Sequence, residues 1–343
     1  MNRAVPMSET VPGSGLLLVR ATNPSRSPVV RRVKTVGVLA SALGLCTWGC
    51  ANIKADHARA VLPRAEIYQR ATNEFTEARF FKPAEPKTND LTFTLAPLIL
   101  QEIRSGNEPL PGLDRFGTFS LSKGALGLDL SRPAVHWQAD TAQLKGKGHL
   151  RFSYVWCYSP GARGSTRGQG TDTLSPGQAE SGLPLQGIRI TLSSAGRPVV
   201  WEVLADSSGV ELIFVSQNLE AAAVAEFGKP PPGRRYAIER GVDEAPNVIV
   251  ARVIDDGPVA LGPIVYLSAG TRAVSTLICR CMPAQAKQLL GTSTYDLLPF
   301  QATPAQSLLT QARALAKERT AFWPGDPPSD SRLEHCLRLP SAF

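Results

Sequence analysis

Histidine is scarce: His57, His136, His149 and His335 are the only four in the chain. The scarcity removes most of the familiar metal chemistry, because no paired histidines at helix spacing and no Cys-x-x-Cys knuckle are present to form a zinc site. Cys279-Arg280-Cys281 has one intervening residue where a knuckle has two. No metal and no cofactor is expected. Other signatures are missing as well. There is no Gly-x-Ser-x-Gly elbow, no glycine loop ending in Gly-Lys-Ser/Thr, no dinucleotide fingerprint and no calcium loop. A collagen period and a long polar tract are also absent, so neither a fibrous nor a wholly disordered chain is indicated.

Concentrated charge is lacking too, once its location is considered. The formal net charge is +8, but Arg3, Arg20, Arg26, Arg31, Arg32 and Lys34 against Glu9 place +5 of it before residue 50. The remaining +3 is spread through short mixed stretches such as Arg234-Arg235 and Glu239-Arg240, which does not make the basic face that a phosphate backbone requires. Nucleic acid is therefore not expected as a partner.

No apolar run reaches the roughly 20 residues of a comfortable membrane crossing. Arg31, Arg32 and Lys34 instead precede an uncharged stretch from Val36 to Gly49, the length and polarity of an export signal. Gly49-Cys50 closes that stretch where a bacterial lipoprotein would be cut, making Cys50 the lipidation candidate; Thr47 and Trp48 depart from that pattern. The alternatives are ordinary cleavage near Ala51 and an uncleaved signal anchor. The expectation is an exported protein of the periplasm or cell envelope, tethered through its N-terminus. Residues 1–50 are then prelude and signal, 51–90 a helical stalk or linker, and 91–343 a single α+β domain with two similar halves near 188–227 and 248–290.

Outside the leader stand Cys157, Cys279, Cys281 and Cys336. On a strand from Val274 to Met282, Cys279 and Cys281 lie about 6.6 Å apart with parallel side chains, a poor geometry for a direct bond. An exported location permits disulfides. The expectation is that one of the two joins Cys157 and the other Cys336, fastening the C-terminal tail to the sheet. The alternative is four buried thiols.

Period-two patterning dominates the middle of the chain. Leu150, Phe152, Tyr154, Trp156 and Tyr158 share one strand face, which reads as a core face or as an aromatic ligand row. Three strands joined by short turns follow from 188 to 215, an antiparallel meander. Val248–Ile254, Pro263–Leu267 and Val274–Met282 predict a second. Helices are expected in the Ala55–Phe81 region, over Asn218–Phe227 with Gly228 as its cap, over Pro283–Leu290, and after Thr303-Pro304-Ala305-Gln306. The fold class expected is α+β: a predominantly antiparallel sheet in two meanders, with several packing helices.

Chemistry is harder to place. Cys157 and His149 are eight residues apart on one strand, about 26 Å, too far for a dyad. Glu202, Glu211, Asp255 and Asp256 sit in or beside strands without a pairing that the sequence makes convergent, and Glu202 alternates to the exposed side opposite Trp201. Gly-rich residues 160–182 form a long loop in which Arg163 and Arg167 are candidate partner contacts. The expectation by elimination is a non-catalytic envelope protein that binds a peptide, glycan or protein through a sheet edge or this loop. The alternative is a secreted hydrolase whose carboxylates meet only in the fold.

Overall fold

The computed structural model describes residues 64–70, 74–85, 90–103, 116–122, 125–158, 185–204, 210–269, 272–280, 286–300 and 330–343. All belong to the unit His57–Phe343. Cys50, Cys281, the 160–182 loop with Arg163 and Arg167, and the helix expected after Thr303 lie outside the described residues.

The architecture is a β-barrel. Among the described residues, strand accounts for 52% and helix for 14%. In chain order the strands are β1 (Phe75–Pro83), β2 (Leu98–Glu102), β3 (Thr118–Ser122), β4 (Ala125–Asp129), β5 (Ala134–Leu144), β6 (Lys147–Cys157) and β7 (Leu185–Leu192). They continue as β8 (Pro198–Leu204), β9 (Glu211–Ser216), β10 (Val248–Ile254), β11 (Ile264–Leu267), β12 (Val274–Ile278) and β13 (Ala286–Pro299). Eleven of them form one mixed sheet in the order β10-β9-β8-β7-β6-β5-β13-β1-β2-β11-β12, and β3-β4 is a separate hairpin. The outermost strands, β10 and β12, approach each other, so the sheet curls into a nearly closed barrel. The helices described are α1 (Arg64–Arg70), α2 (Leu91–Leu95), α3 (Gln217–Phe227) and α4 (Asp330–Cys336).

This overturns the expected antiparallel α+β arrangement. The first meander is present as β7–β9, and β6 and β5 extend it antiparallel through successive neighbours. The Leu144–Lys147 turn carries positive φ at Lys145 (51°) and Gly146 (74°), the two-residue geometry that matches strand twist in a tight hairpin. Of the second meander only the antiparallel β11–β12 pair forms. β10 returns parallel to β9 across α3, and β11 pairs parallel with β2, so the sheet continues through partners remote in sequence. β13 runs parallel to both β1 and β5.

Parts of two expected helices are strands for the same reason, although Arg64–Arg70 of the first is helical as expected. Phe75–Pro83 overlaps the end of the expected N-terminal helix, yet its buried Ala78 and Phe81 have strand neighbours on both sides and Phe75 pairs with Ala286. Pro283–Leu290 has strong helix formers, but from Ala286 onward it adds to β1. Tertiary pairing overrides local propensity in both places. α3 forms as expected, with the Ser216 side chain accepting from Leu219 N (3.2 Å) and Gly228 (φ 75°) closing it.

One buried cluster collects residues from every part of the barrel wall. Phe81, Ile99, Val135, Tyr154, Trp156, Ile190, Trp201, Phe214, Ile249, Val265, Leu277 and Tyr295 belong to it, which identifies it as the interior. Leu95 and Ala96 enter the same cluster. They are held there because Tyr154 Oη donates to Thr92 O (2.7 Å) and Tyr295 Oη to Pro97 O (2.6 Å), while Arg280 donates to Ala96 O. A second cluster lies on the outer face of β8–β10, beneath α3 and the 333–343 tail.

His136 on β5 is 3% exposed, edge-on to Phe300 at 6.0 Å. Burial pushes its imidazole down from 6.5 to about 4. Between those values the unfolded chain takes up a proton that the folded chain refuses. The stabilisation is therefore complete above 6.5 and is lost as pH falls, by about 3 kcal/mol near pH 4. Denaturant melts across this window should show the slope, and His136→Leu should flatten it.

Candidate binding site

The aromatic row on β6 is part of the wall of the packed interior. Tyr154, Trp156 and Tyr158 are fully buried, with Tyr158 edge-on to Phe116 at 6.1 Å. These side chains fill the barrel and leave no ligand face.

The candidate carboxylates reach the outer face of the same strands. There a polar ladder crosses the sheet from Asp140 on β5 to Glu211 on β9. Arg151 donates to Asp140 (2.6 Å), Arg189 donates to Ser153 (3.3 Å) and approaches Glu202 (3.9 Å), and Arg332 of α4 donates to Glu211 (3.0 Å). Glu202 does alternate away from Trp201, but it is 2% exposed, not solvated as expected, because the outer face of this sheet is covered. Burial pushes the Glu211 carboxyl up, the Cys336 thiol and Arg332 pull it down, and nearby Glu202 pushes it up again. The two glutamates thus do converge, but against cations and under cover. Asp256 acts elsewhere, accepting from Asn218 N (2.7 Å) in the first turn of α3.

Cys157 and Cys336 are free, buried thiols, so neither takes part in the expected staple. The Cys336 thiol donates to Glu211 Oε1 (3.0 Å), and burial drives both thiols upward. Cys279 is disulfide-bonded, with a partner outside the described residues. The tail is nonetheless fastened, by hydrogen bonds and stacking. Arg338 N donates to Ile238 O (2.8 Å), the Arg240 guanidinium to Glu334 O (2.7 and 2.9 Å), and Lys147 Nζ to Phe343 O (2.9 Å). The Phe343 ring stacks on His149 at 4.4 Å. Cys157 and Cys336 should resist alkylation in the native protein and react in denaturant; mass spectrometry of the two peptides checks this.

A groove lies beside the seam of the barrel, lined by Arg197, Trp201, Ile254, Val259, Ile278 and Cys279 among others. It encloses about 30 Å³, room for a pair of waters. Organic ligands occupy pockets of roughly 300 Å³ and more, so this groove is not a substrate site. Glu202 and Glu211 do not line it.

The remaining feature is β13. Its N-terminal part pairs with β1 from Phe75↔Ala286 to Pro83↔Tyr295, but β5 joins its other side only from Asp296 to Pro299. Among the described residues, nothing pairs with that side of Ala286–Tyr295. Lys287 through Thr292 are all exposed, on both faces, including Leu289 (51%) and Leu290 (44%). The register slips between Ala78↔Leu289 and Phe80↔Thr292, so Leu290 and Gly291 together oppose Arg79 in a bulge. Gly291 sits at φ 145°, a backbone that suits glycine. Sequence reasoning missed this edge because Ala286-Lys-Gln-Leu-Leu reads as helix up to Gly291. The signal that opposed it was the β-forming Thr292, Thr294 and Tyr295 just beyond.

Compared with protein-family models, curated proteins and solved structures, the chain matches none. Among the described residues no helix is long and apolar enough to cross a membrane, and no group of three His, Cys, Asp or Glu is placed to hold a metal.

Proposed function

We propose that this chain is an exported, non-catalytic envelope protein that takes an extended polypeptide along the open side of β13. One observation carries the reading: a strand exposed over Lys287–Thr292, with an edge next to it that nothing pairs with among the described residues. Unpaired backbone groups on a sheet edge are a template for strand addition, in which the main chain supplies affinity and side-chain contacts supply selectivity. Leu289 and Leu290 would make those contacts. A polypeptide suits this edge better than a glycan, since the aromatic row of β6, on which a sugar could stack, is turned into the barrel. The hydrolase alternative is disfavoured by the burial and ion pairing of Glu202 and Glu211.

The test is a random peptide library panned on the full chain, with hits followed by amide exchange. Binders should slow exchange over 287–290 and lose affinity for the Leu289→Lys, Leu290→Lys double variant. Hits that protect another region, or that ignore the double variant, would remove the edge from the reading. The envelope location is supported by the basic cluster and apolar stretch ahead of Cys50. Metabolic labelling with a radioactive fatty acid is expected to tag the wild type and not Cys50→Ser.

A further inference from the structure

We infer that the occupant of the β13 edge is a second copy of this chain, added antiparallel across a twofold axis. The inference rests on the strand-addition reading and supplies its partner. The bulge at Leu290-Gly291 ends the regular edge, which leaves Ala286–Leu290 as the stretch on which a strand can add.

Those five residues are self-complementary. With the axis at Gln288, Gln288 opposes its own copy, Lys287 opposes Leu289 and Ala286 opposes Leu290. A side-chain amide carries both donors and an acceptor, so two facing glutamines can satisfy each other. The aliphatic stem of Lys287 lies over the partner's Leu289 while its ammonium stays in water. Each exposed leucine thereby gains an apolar neighbour, and no like charges stand directly opposite.

Of the usual guards against edge pairing, the stretch carries one lysine and the bulge at its end, but no carboxylate and no proline. An antiparallel pair closes after two copies, whereas head-to-tail pairing would stay open; closed twofold dimers are the commonest homo-oligomers. The two lysines, diagonal across the axis, make association weak and favoured by salt.

Sedimentation of the full chain over a concentration series is the test. A reversible monomer–dimer equilibrium is expected, tightened by salt. Leu289→Lys with Leu290→Lys should weaken it by about tenfold or more while circular dichroism stays unchanged. Gln288→Cys should crosslink to its own copy under mild oxidation well above the wild-type background, and Thr294→Cys, beyond the bulge, should not. A wild type that stays monomeric at every concentration, or a dimer indifferent to the double lysine variant, overturns the proposal. If library peptides still protect 287–290 in a monomeric wild type, the second copy is excluded and strand addition stands. If they do not, both fail.

Discussion

Replacing Glu239 by alanine is expected to cost about 3–5 kcal/mol, the loss typical of breaking a buried, hydrogen-bonded ion pair from one side. Glu239 is buried, and its two oxygens serve three backbone donors: Arg235 N and Tyr236 N at 2.9 Å each, and Val250 N at 3.1 Å. Arg234 stands 3.6 Å away and donates to the carbonyls of Gly241, Ala245 and Val248. The pair thus organises the irregular 229–247 connection and ties it to β10. Alanine would leave three amides without an acceptor and a cation without a counter-charge in a site closed to water. Glutamine keeps one acceptor oxygen and should lose less. Urea unfolding of both variants measures the two values; a Glu239→Ala loss below about 1 kcal/mol would mean that water enters and replaces the carboxylate.

Gly262→Ala should be the next most damaging change. A Cβ at Gly262 would fall 2.1 Å from Leu95 O and 2.8 Å from Ala96 O, both backbone atoms, and neither can rotate away. Gly262 N also donates to Thr94 O (3.1 Å). Relief requires moving the α2 end, and with it the Leu95 and Ala96 contacts inside the barrel. Overpacking of this kind costs about 1–3 kcal/mol, and the upper end is expected where the obstacle is main chain. The near-ultraviolet dichroism of Tyr154 and Tyr295 should change as well, because their hydroxyls anchor this segment. Tyr154→Phe is the gentler comparison: it deletes one hydrogen bond to Thr92 O and should cost about 1 kcal/mol.

These two residues illustrate what the sequence could convey. Local features were legible: β6 from its alternating side chains, the β7–β9 meander from alternation and short turns, and α3 from its stripe, Ser216 and Gly228. Whatever depended on distant partners was not. The parallel pairings of β13 with β1 and of β11 with β2 leave no mark in either strand's own period. A short turn argues for antiparallel neighbours only where those neighbours are consecutive. Burial on the outer face was also illegible, since Glu202 alternates as a solvated residue would, and only the covering of that face makes it interior. The edge of β13 was hidden by residues that favour helix in isolation and are overruled by β1. Arg163, Arg167 and Cys50 rest on sequence alone.

The union of Phe75 with Ala286 has a consequence for how this chain comes into being. β1 is synthesised early and spends most of translation without its parallel neighbour, exposing Phe75 and Phe81 until β13 emerges. Because pairings between remote segments form slowly and leave sticky intermediates in the meantime, wall closure becomes a late event. A nascent chain of this design keeps its wall open until its last long strand has been made.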